Sequence, residues 1–180
     1  MANPPIGNNF IEGVLGVVRT TFNGVDMGKS EGEATLEFIE DIKDIFHAQD
    51  GTQPADKIPT GQAYQLTVNY SEITWARLQE VMRGLTIVGN NAKLEPDLYR
   101  SGLDNFAKRL EIIRVDSAGA ASGNDLFKMV FYKAFPQVNG PIGAFGPDTQ
   151  RTVEVIYYMF RASDHNDAFG YAGNPSSVGL

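Results

Sequence analysis

Two late stretches of the chain constrain its fold most. Residues 126–135 (L-F-K-M-V-F-Y-K-A-F) and 149–160 (T-Q-R-T-V-E-V-I-Y-Y-M-F) carry apolar side chains on both faces of a period-two strand. Such strands must be covered on both sides, in a sandwich core or against a neighbouring subunit. Earlier segments alternate more cleanly. In residues 33–38, Ala34, Leu36 and Phe38 share one face, and Glu33, Thr35 and Glu37 share the other. In residues 63–70, Tyr64, Leu66, Val68 and Tyr70 oppose Gln65, Thr67 and Asn69. Residues 12–22 and 106–115 also read as strands. The first of these stops at Asn23-Gly24, a turn pair because both residue types tolerate positive φ. Residues 25–32 read as short and turn-rich.

One helix is expected, from Ser71 to about Leu85. Ser71 is a good N-cap, and Glu72 sits at the positive end of the helix dipole. Trp75, Leu78, Val81, Met82 and Leu85 follow at helical spacing. Residues 46–61 hold Asp50-Gly51, Pro54, Pro59 and Gly61, and are expected to form one long loop. The resulting class is mainly β, a sandwich or barrel with one flanking α-helix. A single β-rich domain over residues 11–161 is expected. It lies between an N-terminal arm, residues 1–10, and a flexible Gly-rich tail, residues 162–180.

Residue chemistry offers little to an enzyme. The sequence lacks Cys and has only two His, so thiolate sites, disulfides and multi-histidine metal sites are excluded or strongly disfavoured. Six carboxylates (Glu31, Glu33, Glu37, Glu40, Asp41 and Asp44) crowd fourteen residues with Lys43 as the one base. A glycosidase-type pair is one reading of them. A solvated strand face is the plainer one, and a phosphate-repelling lining is a third. Asp164-His165-Asn166-Asp167 contains metal-ligand types but falls in the expected tail, which cannot preorganise a site. The Gly-rich run 139–146 has no Lys-Ser/Thr after it and is read as a connector, not a phosphate loop. Fifteen Lys+Arg against 22 Asp+Glu give net charge −7, which opposes gripping a nucleic acid but not surrounding one. No run of about 18–20 apolar residues suits a membrane helix. The N-terminus lacks the pattern of a secretory signal, so synthesis and folding in the cytoplasm are expected.

An ordered set of motifs then comes together. The run Asn23-Gly24-Val25-Asp26-Met27-Gly28-Lys29-Ser30-Glu31-Gly32 is followed by the acidic strand. Next come Asp50-Gly51-Thr52-Gln53-Pro54-Ala55-Asp56-Lys57-Ile58-Pro59-Thr60-Gly61 and Ser71-Glu72-Ile73-Thr74. Over residues 13 to about 85 this order resembles bacteriophage tail tube (major tail) proteins. The C-terminal half fits by its run of strands. The resemblance implies a small sandwich or barrel whose sheet continues between six subunits in a ring. Rings would stack into a tube in the virion tail, through the long loop and the arms. Partners would be further copies, an initiator or baseplate, a terminator, a tape measure and, in contractile tails, a sheath. Double-stranded DNA would pass through unbound. No catalysis, cofactor or metal is implied.

Within that picture, Glu31, Glu33, Glu37 and Glu40 are candidates to line the channel, where negative charge keeps phosphates mobile. His47, Asp50, Gln53, Asp56, Lys57 and Ile58 are candidates for contacts between rings or subunits. Two rival functions stand beside it. One is a tail-terminator or distal-tail ring protein. The other, of a different class, is a β-sandwich carbohydrate-binding module using Trp75 or tyrosines as its platform.

Overall fold

A computed structural model describes residues 17–45, 56–71, 73–89, 91–94, 102–115, 128–140, 142 and 152–173. It is mainly β. The strands are β1 (Val18–Phe22), β2 (Val25–Lys29), β3 (Thr35–Ile45), β4 (Asp56–Tyr70), β5 (Leu85–Val88) and β6 (Asn91–Leu94). They continue with β7 (Lys108–Arg114), β8 (Lys128–Asn139), β9 (Val153–Phe160) and β10 (Gly170–Ala172). The helix α1 (Trp75–Val81) lies between β4 and β5. The main sheet is antiparallel, in the order β2-β1-β7-β8-β9-β4-β3, with β10 also paired to β8; β5 and β6 form a separate ribbon.

The sheet curls but is not closed. Its β2 side meets the end of β4 at one isolated bridge, Ser30 with Tyr70. Glu31 N–H donates to Asn69 O (2.7 Å) and Ser71 N–H donates to Lys29 O (3.1 Å) on either side of it. The curl wraps the inner face around Phe22, Met27, Leu66, Val68, Leu110, Ile112, Val155 and Tyr157, all buried. Leu78 and Val81 of α1 cap this core. Three hydroxyls meet inside it: Tyr70 bonds Thr20, and Tyr70 and Tyr157 lie 3.0 Å apart. β1 lies several strands from β4 and β9 in the sheet order, so only the curl brings these groups together.

The structure corrects several sequence expectations. Asn23-Gly24 does form the hairpin turn, with φ of 52° and 80°, and Phe22 pairs with Val25. The segment after it, however, is strand β2 and not merely turns. Its register shifts against β1, and Asp26 Oδ1 accepts Gly28 N–H at 3.0 Å where the strand bends. The helix is seven residues long and starts later than Ser71. Ser71 is instead bonded to Lys29 O through its N–H and its hydroxyl, and Thr74 caps the helix, accepting from Arg77 N–H. Trp75 therefore faces outward, 56% exposed, and Leu85 belongs to β5.

The sheet also runs past residue 161, into the segment expected to be a tail. Lys133 pairs with Phe160 and Phe131 pairs with Gly170, so β10 resumes the place beside β8 that β9 leaves. Residues 162–169 form an excursion closed by the Ala162–Ala168 bridge. Gly170 is required there, since a Cβ would come within 1.9 Å of Val130 O. His165 stacks on Tyr132 at 3.8 Å with rings 6° from parallel, which seats this excursion on the sheet. The expected arm, residues 1–10, lies outside the described residues, as do residues 174–180 of the tail.

A candidate assembly surface on the long ribbon

The candidate surface is built by two unequal lengths of pairing. β4 is 15 residues long, but its partner β9 reaches only from Tyr70 to Tyr64. Beyond that, β4 is paired with β3 alone, down to Ile45 with Asp56. Residues 40–45 and 56–62 thus form a two-stranded ribbon projecting from the body. The expected loop 46–61 is corrected accordingly: residues 56–61 are strand, and 46–55 lie outside the described residues. A bulge sits midway. Asp41 pairs with Gly61 and Ile42 with Pro59, leaving Thr60 as the extra residue, and its hydroxyl donates to Asp41 O at 3.1 Å. Pro59 is tolerated because a bulge relieves the ladder of its missing N–H.

Cross-strand pairing sorts the side chains by face. Leu36, Phe38, Glu40, Ile42 and Asp44 continue the inner face, opposite Leu66, Tyr64, Gln62, Pro59 and Lys57. Glu37, Ile39, Asp41 and Lys43 lie on the outer face, opposite Gln65, Ala63, Gly61 and Ile58. An aromatic chain links ribbon to body: Phe38 to Tyr64 at 5.0 Å, then Tyr64 to Phe169 at 5.2 Å and to Phe131 at 6.0 Å. Leu36, Tyr64, Phe131 and Phe169 line a cavity of about 250 Å³ beside it. Farther out, Ile42 is 55% and Ile58 48% exposed, with Ile39 and Phe38 exposed as well. Apolar side chains exposed on both faces of a ribbon, with no cover from the body among the described residues, suit a contact surface. β3 is also the terminal strand of the sheet, so one of its edges has no strand partner among the described residues.

The four glutamates read as channel candidates do not share one face. Glu37 and Glu40 project from opposite sides of β3. Both are exposed, as is Glu33, and Gln62 Nε2 donates to Glu40 at 3.0 Å. Glu31 is half-buried beside the Ser30 bridge, and its Oε2 is buried with no hydrogen-bond partner among the described residues. Among the contact candidates, Asp56, Lys57 and Ile58 are all exposed on the ribbon. Lys57 Nζ lies 3.5 Å from Asp44, and Asp56 Oδ1 accepts Lys57 N–H. His47, Asp50 and Gln53 fall outside the described residues.

Sequence reasoning missed a second feature at the far end of β4. Arg19, Lys29 and Arg77 converge on a cavity of about 340 Å³ between β1, β2 and α1, with Val17, Val18 and Val115 as its apolar wall. Arg19 Nη2 pairs with Asp26 at 2.5 Å. That hydrogen bond holds the Asp26 carboxyl below its ordinary range, against burial and with help from Gly28 N–H and Arg77. The three cations lie far apart in sequence, Arg19 and Arg77 by 58 positions, so no local motif announces them.

No group of three or more potential metal ligands occurs among the described residues. No helix there is long and apolar enough to cross a membrane. Comparison with known proteins finds no matching family model and no matching curated protein.

Proposed function

We propose that the chain is a structural subunit that polymerises as stacked hexameric rings into a phage tail tube, a channel for genome passage. The observation that carries this reading is the β3–β4 ribbon, extended beyond the body with isoleucines exposed on both faces. A soluble monomer gains nothing from such a surface, whereas a polymer buries it at every interface. The open edge of β3 would let the sheet continue into a neighbour and close as a barrel around the ring. The order of motifs over residues 13 to about 85 supports the same reading.

In this arrangement the outer face of β3, β4 and β9 lines the channel. It carries Glu37, Asp41, Gln65, Thr67, Asn69 and Glu154 against Lys43, a net acidic set. Such a wall offers DNA phosphates no trap. Glu40 is excluded from the lining because it points to the other side.

Negative-stain electron microscopy of the concentrated protein, with light scattering for mass, tests the proposal. Hollow six-fold rings or tubes are expected. A second reading draws on Trp75, whose exposed ring could serve as a sugar platform. A monodisperse monomer at every concentration, together with saturable binding in a glycan screen, would replace the first reading with this one.

A further inference from the structure

The sequence contains two Asn-Gly pairs, Asn23-Gly24 and Asn139-Gly140. In such a pair the second residue has no Cβ to shield its backbone nitrogen, so that nitrogen can reach the side-chain carbonyl carbon of the asparagine. All four residues are exposed. A Cβ added at either glycine would meet nothing within 4 Å, so solvent has open access to both.

The two pairs differ in what holds the asparagine. Asn139 ends β8, where its backbone pairs with Glu154 in the ladder and its Nδ2 also donates to Glu154. Asn23 lies between strands, in the two-residue turn that joins β1 to β2. Its Nδ2 donates to Glu80 Oε2 at 3.3 Å, longer than a usual N–H···O bond. A carboxylate that accepts from the amide fixes it in place and has no proton to give to departing ammonia. The doubly held Asn139 is therefore protected, and Asn23 is the more reactive of the two.

We infer that Asn23-Gly24 is a spontaneous deamidation site whose conversion turns a tie between the β1–β2 turn and α1 into a repulsion. The Gly24 nitrogen, losing its proton to solvent, bonds to Asn23 Cγ, and Nδ2 leaves as ammonia. Water then opens the cyclic imide. Opening at Cγ gives aspartate. Opening at the α-carbonyl carbon gives isoaspartate, whose main chain runs through Cβ and Cγ. The only co-reactant is water, and nothing is oxidised or reduced.

The product meets Glu80 at a sensitive place. Glu80 stands in the last turn of α1, where negative charge already opposes the helix dipole. Leu78 and Val81 of the same helix cap the core. A carboxylate at position 23 removes the donor to Glu80 and sets a like charge against it. Aspartate suits this turn as asparagine does, so its cost traces to Glu80 and not to the turn. Isoaspartate goes further, because its longer main chain disturbs the Phe22–Val25 pairing beside buried Phe22. None of this depends on the assembly proposed above.

Ageing the purified full chain at mildly alkaline pH tests the site. Peptide mapping by mass spectrometry, with an isoaspartyl methyltransferase assay, should find conversion of Asn23 several-fold faster than that of Asn139. In urea the two should convert at similar rates, since only the fold separates them. Asn139 converting as fast as Asn23 in the folded chain, or no conversion of Asn23 on the timescale seen in urea, overturns the inference. Asn23→Asp tests the consequence. It should lower the urea midpoint of unfolding, and Glu80→Gln in the same chain should restore it while shifting the wild-type midpoint little. An Asn23→Asp chain as stable as wild type, or a loss that Glu80→Gln does not relieve, overturns the repulsion.

Discussion

Thr20 is the buried polar residue on which the core's hydroxyl network turns. Its hydroxyl bonds Tyr70, whose own oxygen lies 3.0 Å from that of Tyr157. A buried hydroxyl that loses its partner costs about 1–3 kcal/mol. Thr20→Val should therefore lower unfolding stability by about 1–2 kcal/mol in a urea titration. Burial, only partly offset by the hydrogen bond from Thr20, pushes the Tyr70 hydroxyl up to about 12. Burial likewise pushes Tyr157 well above its ordinary value, with Tyr70 adding to it. Both phenols stay protonated in the folded state at pH values where unfolded tyrosine ionises. Their contribution to stability is complete below pH ~10 and is lost as pH rises through the folded-state values. Phenolate absorbance should show these two tyrosines titrating only with alkaline unfolding. Gly170 makes an equally local demand. Gly170→Ala puts a methyl against Val130 O and should cost about 2 kcal/mol or more while freeing residues 170–172 to proteolysis.

At the scale of elements, the proposed assembly uses a ribbon that folding does not need. Its isoleucines touch little of their own chain, so Ile42→Ser with Ile58→Ser should leave stability within about 0.5 kcal/mol. The same variant should lose rings and tubes in electron micrographs. Retained tubes would show that the ribbon is not the contact. The β7–β8 pair supplies a different handle. Burial pushes the Glu111 carboxyl up, but Lys128 and Arg109, both at 2.8 Å, outweigh it and leave the group below its ordinary range. A carboxyl depressed in the folded state adds stability above its unfolded value, about 4, and loses it as pH falls through the folded value. Stability should therefore fall with acidification below pH ~4, and Glu111→Gln should flatten that slope. The pair is partly exposed, so the effect is modest.

For the whole molecule, the consequence is a separation of faces. The inner face of the sheet is packed by α1 and its own aromatics, and the outer face is mixed and half-covered. Lining a channel with the second face requires that its charge matter to DNA and not to folding. If the proposed tube is right, Glu37→Lys with Asp41→Lys should leave the monomer's melting temperature nearly unchanged and slow genome ejection from assembled tails, because cationic pairs around the channel would hold phosphates. Ejection at the wild-type rate would move the channel wall to another face.

The period-two alternation of residues 33–38 and 63–70, the turn at Asn23-Gly24 and the doubly apolar strands near the C-terminus determined a mainly β molecule, because strand pattern and turn chemistry are local. Other features were decided only by tertiary contact. Ser71 lost the helix to Thr74 because its N–H and hydroxyl are bonded to Lys29, distant in sequence. Residues 170–172 joined the sheet because a glycine at 170 lets the backbone approach β8 that closely. Glu37 and Glu40 parted company because one strand threads both. The cavity of Arg19, Lys29 and Arg77 has no sequence signature, since it exists only when the sheet curls and brings β1, β2 and α1 together. Local sequence governs the shape of each piece, whereas the sites arise from long-range closure, which no window of a few residues can encode.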